Sequence, residues 1–324
     1  MKNFIALALA LVALASLVSC GKTSDDAAMR VIALKGPTGI GMAPLMENVA
    51  TGASSLDCVF TLAAAPEEVS AAIVRGDFDI AAVPVNLASV LYNKGADVKF
   101  LAVNTLGVLY VLENGDSVRS VADLKGKTVY ATGKGATPEY VLGYILEENG
   151  LTAGEDVRVE YLSEHSELAS KLASDTAAIG MLPEPQVTGA LLSAKQSGNA
   201  ALRVALDLTS EWEKLGGSSL VQGVLVVRGD FYREHRTLVS RFLNEYSASV
   251  DFVNEKTDES ASLCEKYGIV PKAAVAKNAI PNCNIVCEPY AADKMSAMLS
   301  VLYDANPASV GGKLPGDDFY LTEK

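Results

Sequence analysis

The sequence predicts an α/β fold of two similar lobes, each a mixed, mainly parallel sheet flanked by helices. Three observations carry this reading. Short apolar runs alternate with stretches of helical period from residue 29 to residue 227. A shift of 99 residues brings Gly36 onto Gly135, Glu68 onto Glu167, Ile80 onto Ile179 and Pro84 onto Pro183. Each half then reads strand, glycine loop, helix, strand, helix, strand and proline. Mostly helical segments close the chain over 230–253, 257–267 and 289–305.

The 324 residues are 49% hydrophobic and 20% charged, ample for one large domain or two lobes. A net charge of −12 argues against nucleic acid as a partner. It also means that any anion site must be local and built from backbone dipoles. Residues 1–19 read as a signal peptide, with Lys2 followed by an almost wholly apolar core over 4–18. Leu17-Val18-Ser19-Cys20 resembles a bacterial lipobox, which implies cleavage before Cys20 and attachment of lipid, palmitate included, at that residue. Residues 20–28 then form a polar tether. The expected location is the cell envelope, anchored through lipid to the extracytoplasmic face of a membrane. No later stretch reaches the roughly 18 apolar residues a membrane span requires.

Taken in order, the mature chain opens with a strand at 29–34 and the loop Lys35-Gly36-Pro37-Thr38-Gly39-Ile40-Gly41. A helix over 42–50 stops at Gly52. A strand over 56–62 precedes a helix opened by Pro66-Glu67-Glu68, where acids favour the first turn. A buried strand ending at Pro84 leads into Asn86 and a helix over 87–94. A strand at 98–103 breaks at Asn104-Thr105-Leu106-Gly107 and resumes over 108–112. That break and 219–223 are the candidate crossings between lobes, so 29–105 with 223–324 make lobe one and 106–222 make lobe two. A short helix and turn over 116–127 leads into a strand at 128–132. After the glycine turn, Thr137 is placed to cap a helix with Pro138 in its first position and Glu139 in its first turn, ending at Asn149-Gly150. A strand feeding a glycine loop at a helix N-terminus exposes N–H groups and a positive dipole end, which suits a small polar or anionic ligand. Strands at 157–161, 177–182, 203–208 and 220–227, with helices at 164–173 and 186–195, continue the alternation. Ligands of such folds sit outside the carboxyl ends of the strands. Both glycine loops, Pro84-Val85-Asn86 and Pro183-Glu184-Pro185 would therefore face one cleft.

Cys58 lies in a strand-like run and reads as a core residue. Cys264, Cys283 and Cys287 read as buried thiols or as one bridge within 264–287. With two histidines and no second Cys pair, neither a metal centre nor a cofactor is expected. There is no Gly-x-Ser-x-Gly elbow, and 133–137 lacks the spacing of a phosphate-binding P-loop, so the chain is not expected to be an enzyme.

Asp123-Leu124-Lys125-Gly126-Lys127-Thr128-Val129, the loop from Thr132 to Thr137, Gly180-Met181-Leu182-Pro183-Glu184-Pro185 and Ser309-Val310-Gly311-Gly312-Lys313-Leu314-Pro315 carry a resemblance. They resemble stretches of the substrate-binding lipoproteins of ABC importers, in the group handling nitrate, sulfonates and thiamine pyrimidine precursors. The resemblance covers nearly all of the mature chain, although Ala177-Ala178 stands where that group often has an acid. It implies a type II periplasmic-binding-protein fold and a monomer whose lobes close on a small-molecule ligand and deliver it to ABC permease membrane subunits. Carried over by position, the ligand-binding residues are Thr38, Gly39, Pro84, Asn86, Thr132, Gly135, Ala136, Thr137 and Glu184. Loop N–H groups and hydroxyls suit a sulfonate or carboxylate. Glu184 suits an amine, an aminopyrimidine or a hydroxyl, or is simply an acid at a helix start. Tyr140 and Trp212 either stack on a ring or belong to the core. Two alternatives stand beside this reading. One is an enzyme of the same fold in pyrimidine or menaquinone-precursor biosynthesis; the other is a surface lipoprotein without a transport role.

Overall fold

A computed structural model describes residues 27–175, 177–216 and 219–322, so the signal peptide, the lipobox and Cys20 lie outside the described residues. The chain builds two sheets. The first holds β1 (Met29–Leu34), β2 (Cys58–Ala63), β3 (Ile80–Pro84), β4 (Val98–Thr105), β10 (Gly223–Arg228) and β11 (Ile285–Pro289), in the order β11-β4-β10-β3-β1-β2. The second holds β5 (Leu109–Asn114), β6 (Thr128–Ala131), β7 (Arg158–Tyr161), β8 (Ile179–Pro183) and β9 (Leu202–Asp207), in the order β7-β6-β8-β5-β9. They are the sheets of lobe one and lobe two.

The 99-residue correspondence is visible in both. Ile80 opens β3 and Ile179 opens β8; Pro84 and Pro183 close them. Glu68 and Glu167 are the third residues of α3 (Pro66–Arg75) and α6 (His165–Ser174). Gly36 and Gly135 both take positive φ, 94° and 76°, which a side chain would resist. The triplets β2-β1-β3 and β7-β6-β8 are parallel throughout. Beside each runs one reversed strand, β10 in lobe one and β5 in lobe two.

Four of the six strands in the first sheet and four of the five in the second run the same way, the mixed, mainly parallel arrangement expected, while the reversed strands make five of the nine neighbouring pairs antiparallel. The cause is the crossing of the chain. Each sheet accepts the strand by which the chain arrives from the other lobe, and that strand enters from the cleft side.

The first crossing runs from Thr105 to Leu109 and the return reaches the first sheet at Gly223. They lie side by side, with the Gln222 N–H donating to the Thr105 carbonyl at 3.0 Å. Packing there is tight. A Cβ on Gly223 would stand 2.6 Å from Asn104 Oδ1, and one on Gly107 would stand 2.1 Å from Thr209 Oγ1. One apolar core continues through the crossings, from Ile32 in lobe one to Met181 in lobe two.

The helices that matter for the cleft are α1 (Pro37–Ile40), α2 (Ala43–Thr51), α3, α4 (Val85–Asn93), α5 (Thr137–Glu148), α6 and α7 (Gln186–Gln196). Four elements were not expected from the sequence: α1, read there as part of a loop, α8 (Leu208–Lys214), the helix Ala273–Ala279, and β11. Residues 116–127 hold a 3-10 turn at Val121–Leu124, closed by a Ser120–Asp123 capping box, in place of an α-helix. Trp212 on α8 is buried against Tyr144 of α5 with ring centroids 4.8 Å apart, so it belongs to the core. Cys58, Cys264 and Cys283 are buried free thiols, and Cys287 is free and half-buried on β11. Burial pushes the Cys283 thiol well above its ordinary range.

Candidate functional site

The carboxyl ends of β1, β3, β6 and β8 turn toward one another, and a cavity of about 460 Å³ lies between them, lined from both lobes. Seven of the chain's twelve prolines line it. Fixed φ angles make these walls stiff, so little order has to be imposed when a ligand enters. Six helices begin at its edge, α1 at Pro37 and α3 at Pro66 among them. Pro84 precedes α4, Ala136 precedes α5, His165 opens α6 and Pro185 precedes α7. Their dipole ends point at the cavity in a chain of net charge −12, although the Val85 N–H is taken by the Gln222 carbonyl and the Thr188 N–H by the Glu184 carboxylate.

Five of the residues anticipated from the sequence line the cavity: Thr38, Pro84, Ala136, Thr137 and Glu184. Thr38 lies on α1, its hydroxyl donating to the Leu34 carbonyl at 3.3 Å. Thr137 does not cap α5. It is the first residue of that helix, and its hydroxyl donates across the lobes to Asn86 Oδ1 at 3.1 Å. A second bond between lobes joins the Tyr110 hydroxyl to the Asn282 carbonyl at 3.1 Å.

The other four sit behind this surface. Asn86 holds Thr137. Gly39 is buried, its N–H bonds the Gly36 carbonyl at 3.0 Å, and a Cβ there would be 2.5 Å from the Leu34 oxygen. The Gly135 N–H is taken by Glu139 Oε2 at 2.5 Å. Thr132 is buried with its hydroxyl 2.6 Å from His165 Nδ1, so the imidazole reaches the cavity in its place. Burial lowers the affinity of His165 for a proton, against a smaller opposing pull from Glu164, which favours the neutral ring.

Glu184 is 1% exposed and joined to Pro185 by a cis peptide bond. Its carboxylate folds over the first turn of α7, accepting from the Thr188 N–H at 3.1 Å and the Thr188 hydroxyl at 2.9 Å. Burial raises its carboxyl above the usual range, while the bonds from Thr188 and from the Asn282 side chain pull the other way.

Residues 41–272 match the family of periplasmic phosphonate substrate-binding proteins of ABC transporters. The chain belongs to this family. Among curated protein sequences none matches it. Among solved structures it is similar to an ABC transporter protein from Parabacteroides distasonis, with 23% identity over 92% of this chain and 100% of that one and a TM-score of 0.77. The periplasmic aliphatic sulphonate-binding protein of Escherichia coli is 18% identical over 92% of this chain and 94% of its own, at a TM-score of 0.71. The alkanesulfonate-binding protein of Xanthomonas axonopodis pv. citri, bound to MOPS, is 18% identical over 90% and 95%, at 0.65. At these identities the likeness is one of fold.

In this periplasmic substrate-binding protein the cleft also contains residues that the sequence did not single out. Lys35 is exposed at the cleft and has no ion-pair partner among the described residues. Lys35, His165 and Glu184 are the titratable groups of the described lining. Gln186 opens α7 and Gln222 lies just before β10, and both are among the residues that line the cavity. One signal for Gln222 was present: it is the single polar residue in the apolar run Leu220-Val221-Gln222-Gly223-Val224.

Proposed function

We propose that the chain is the lipid-anchored solute-binding subunit of an ABC importer, capturing a small organic oxyanion between its lobes and delivering it to the permease. The ligand class is a sulfonate, phosphonate or carboxylate. The observation that supports this most is the convergence of six helix N-termini on one cleft, with Lys35 exposed beside it. Such ends stabilise an oxyanion through N–H donors and dipoles without a buried countercharge. The names of the sulfonate-binding structures point in the same chemical direction. The buried Glu184 carboxylate keeps an aminopyrimidine-like heterocycle as a second reading, because such a ring donates where a bare anion cannot.

In this reading the protein acts as a monomer, without turnover, and Cys20 carries the lipid. Calorimetric titration with ethanesulfonate, methylphosphonate, acetate and an aminopyrimidine tests the ligand class. Binding of at least one oxyanion with the ligand recovered unchanged is expected. Conversion of the ligand to product would replace this reading with an enzyme. For the anchor, incorporation of labelled palmitate into the wild type and its loss in Cys20→Ser is the expected outcome.

A further inference from the structure

The crossing from lobe one to lobe two is held on both flanks. On one side the Gln222 N–H donates to the Thr105 carbonyl at 3.0 Å. On the other stands Asn284. Its side-chain amide donates to the Gly107 carbonyl at 2.6 Å, and its own carbonyl accepts from the Leu106 N–H at 3.0 Å. Asn284 has φ 44°, in the left-handed region that asparagine enters more readily than most residues with a side chain.

The residues around Asn284 are tied to both lobes. Ile285, which follows it, opens β11 opposite Thr105 of β4, and the Ile285 carbonyl accepts from the Asn254 side chain at 3.0 Å. These bonds stay within lobe one. Two residues before Asn284, the Asn282 carbonyl accepts from the Tyr110 hydroxyl of β5 at 3.1 Å. The Asn282 side chain bonds the Glu184 carboxylate beyond β8. Helix Ala273–Ala279 leads into this stretch and packs against α7. Residues 282–285 thus form a third strap beside the two crossings, one end paired into the first sheet and the other bonded to the second lobe.

A two-lobed cleft opens by rotation at its crossings, where a few residues absorb the change in φ and ψ. Leu106 and Gly107 lie in the outgoing crossing between β4 and β5, and Asn284 takes one polar backbone group of each. The bonds of Asn282 to Tyr110 and Glu184 join the lobes at the angle at which Asn86 also meets Thr137 across the cleft. Resting on the reading of a cleft that closes on its ligand, we infer that Asn284 and Asn282 are positioning residues that bias the lobes toward the closed arrangement before a ligand binds. Neither is among the residues that line the cavity. They act on affinity through the fraction of molecules whose lobes are already in place, since the apparent dissociation constant is the intrinsic one divided by that fraction.

Small-angle X-ray scattering and calorimetric titration of the full mature chain test this, with ethanesulfonate and methylphosphonate as probes. Asn284→Gly removes the side-chain bond to Gly107 and keeps the positive φ accessible. Tyr110→Phe removes the hydroxyl bond to Asn282. Asn254→Ala is the control, because it removes a bond to the same strap that stays inside lobe one. Without a probe, the first two variants should have a larger radius of gyration than the wild type; at saturation they should return to the wild-type bound value. Their affinity for a probe should fall by about two- to tenfold, the range of one hydrogen bond. Asn254→Ala should match the wild type in both measurements, even with a lowered melting temperature. A ligand-free radius in Asn284→Gly and Tyr110→Phe equal to that of the wild type would overturn the inference, as would an equal expansion in Asn254→Ala. So would an expansion that persists at saturation, which marks lost packing and not a shifted balance. Failure of both probes to bind would overturn the oxyanion reading, and the ligand-free comparison would still decide this inference. A probe that binds without changing the radius of any of these chains would overturn the closing cleft, and this inference with it.

Discussion

The turn from β3 into α4 and the turn from β8 into α7 occupy equivalent places 99 residues apart, yet they meet the cleft with opposite polarity. After Pro84 the chain passes directly into Val85, and α4 begins with no side-chain cap, its first N–H bonded to the Gln222 carbonyl. After Pro183 two further residues, Glu184 and Pro185, delay α7, and the Glu184 carboxylate covers its first turn. The two-residue delay thus places a carboxyl group over the helix end at one jaw and none at the other. Two lobes built on one plan are made chemically unequal at a helix end, where a single carboxylate offsets a dipole.

The largest expected effect sets the scale for both jaws. Trp212→Ala, in the core behind α5, should cost about 3–5 kcal/mol in chemical denaturation, as loss of a large buried ring does. Affinity of the molecules that remain folded should be unchanged. A loss of affinity with little loss of stability would instead make Trp212 part of the ligand site.

Next in size is Glu184→Ala, which removes the acceptor of the buried Thr188 N–H and hydroxyl and should cost about 1–3 kcal/mol. The matching change at the other jaw, Asn86→Ala, removes one hydrogen bond between lobes and should cost about 0.5–1.5 kcal/mol. A double-mutant cycle of Asn86→Ala with Thr137→Val should return a coupling in that same range of about 0.5–1.5 kcal/mol. Equal costs at the two jaws, or additive effects within the pair, would mean that the two turns are not differently held.

The smallest effect is in the pH dependence. The native Glu184 carboxyl titrates above its unfolded range, so its contribution to stability is present below that range and is lost as pH rises through the raised native value. Glu184→Gln removes the titration, and the melting temperature of the wild type relative to this variant should fall from acid to neutral pH. His165 has the opposite slope. Its native titration lies below the ordinary 6.5, so its contribution is present above that value and is lost as pH falls through the lowered one. His165→Gln should flatten the acid limb of the curve.

Much of the frame was legible because it is written in local patterns. The alternation of apolar runs and helical stretches, and the register of Ile80 with Ile179 and Pro84 with Pro183, survive intact in the folded chain. What escaped was either non-local or short. Gln222 becomes a cleft residue only because β10 inserts between β3 and β4, a pairing that no window of sequence contains. Thr137 looked like a cap by type and position, but its hydroxyl found a partner 51 residues away. The helix α8 carried a usable signal, since the Asp207 side chain accepts from the Thr209 N–H at 2.9 Å, a capping residue at its start. β11, Ile-Val-Cys-Glu-Pro, has only two β-branched residues among its five, too few to stand out between Asn284 and Tyr290.

The central claim, an oxyanion held by helix N-termini in the cleft between lobes, is met most directly by hydrogen exchange. Amides of the mature chain would be followed by mass spectrometry with and without saturating ethanesulfonate or methylphosphonate. The account predicts slowed exchange in peptides covering 34–38, 84–87 and 136–140, the segments where α1, α4 and α5 begin. Unchanged exchange there, or protection confined to the outer side of α5 around Tyr144, would contradict it.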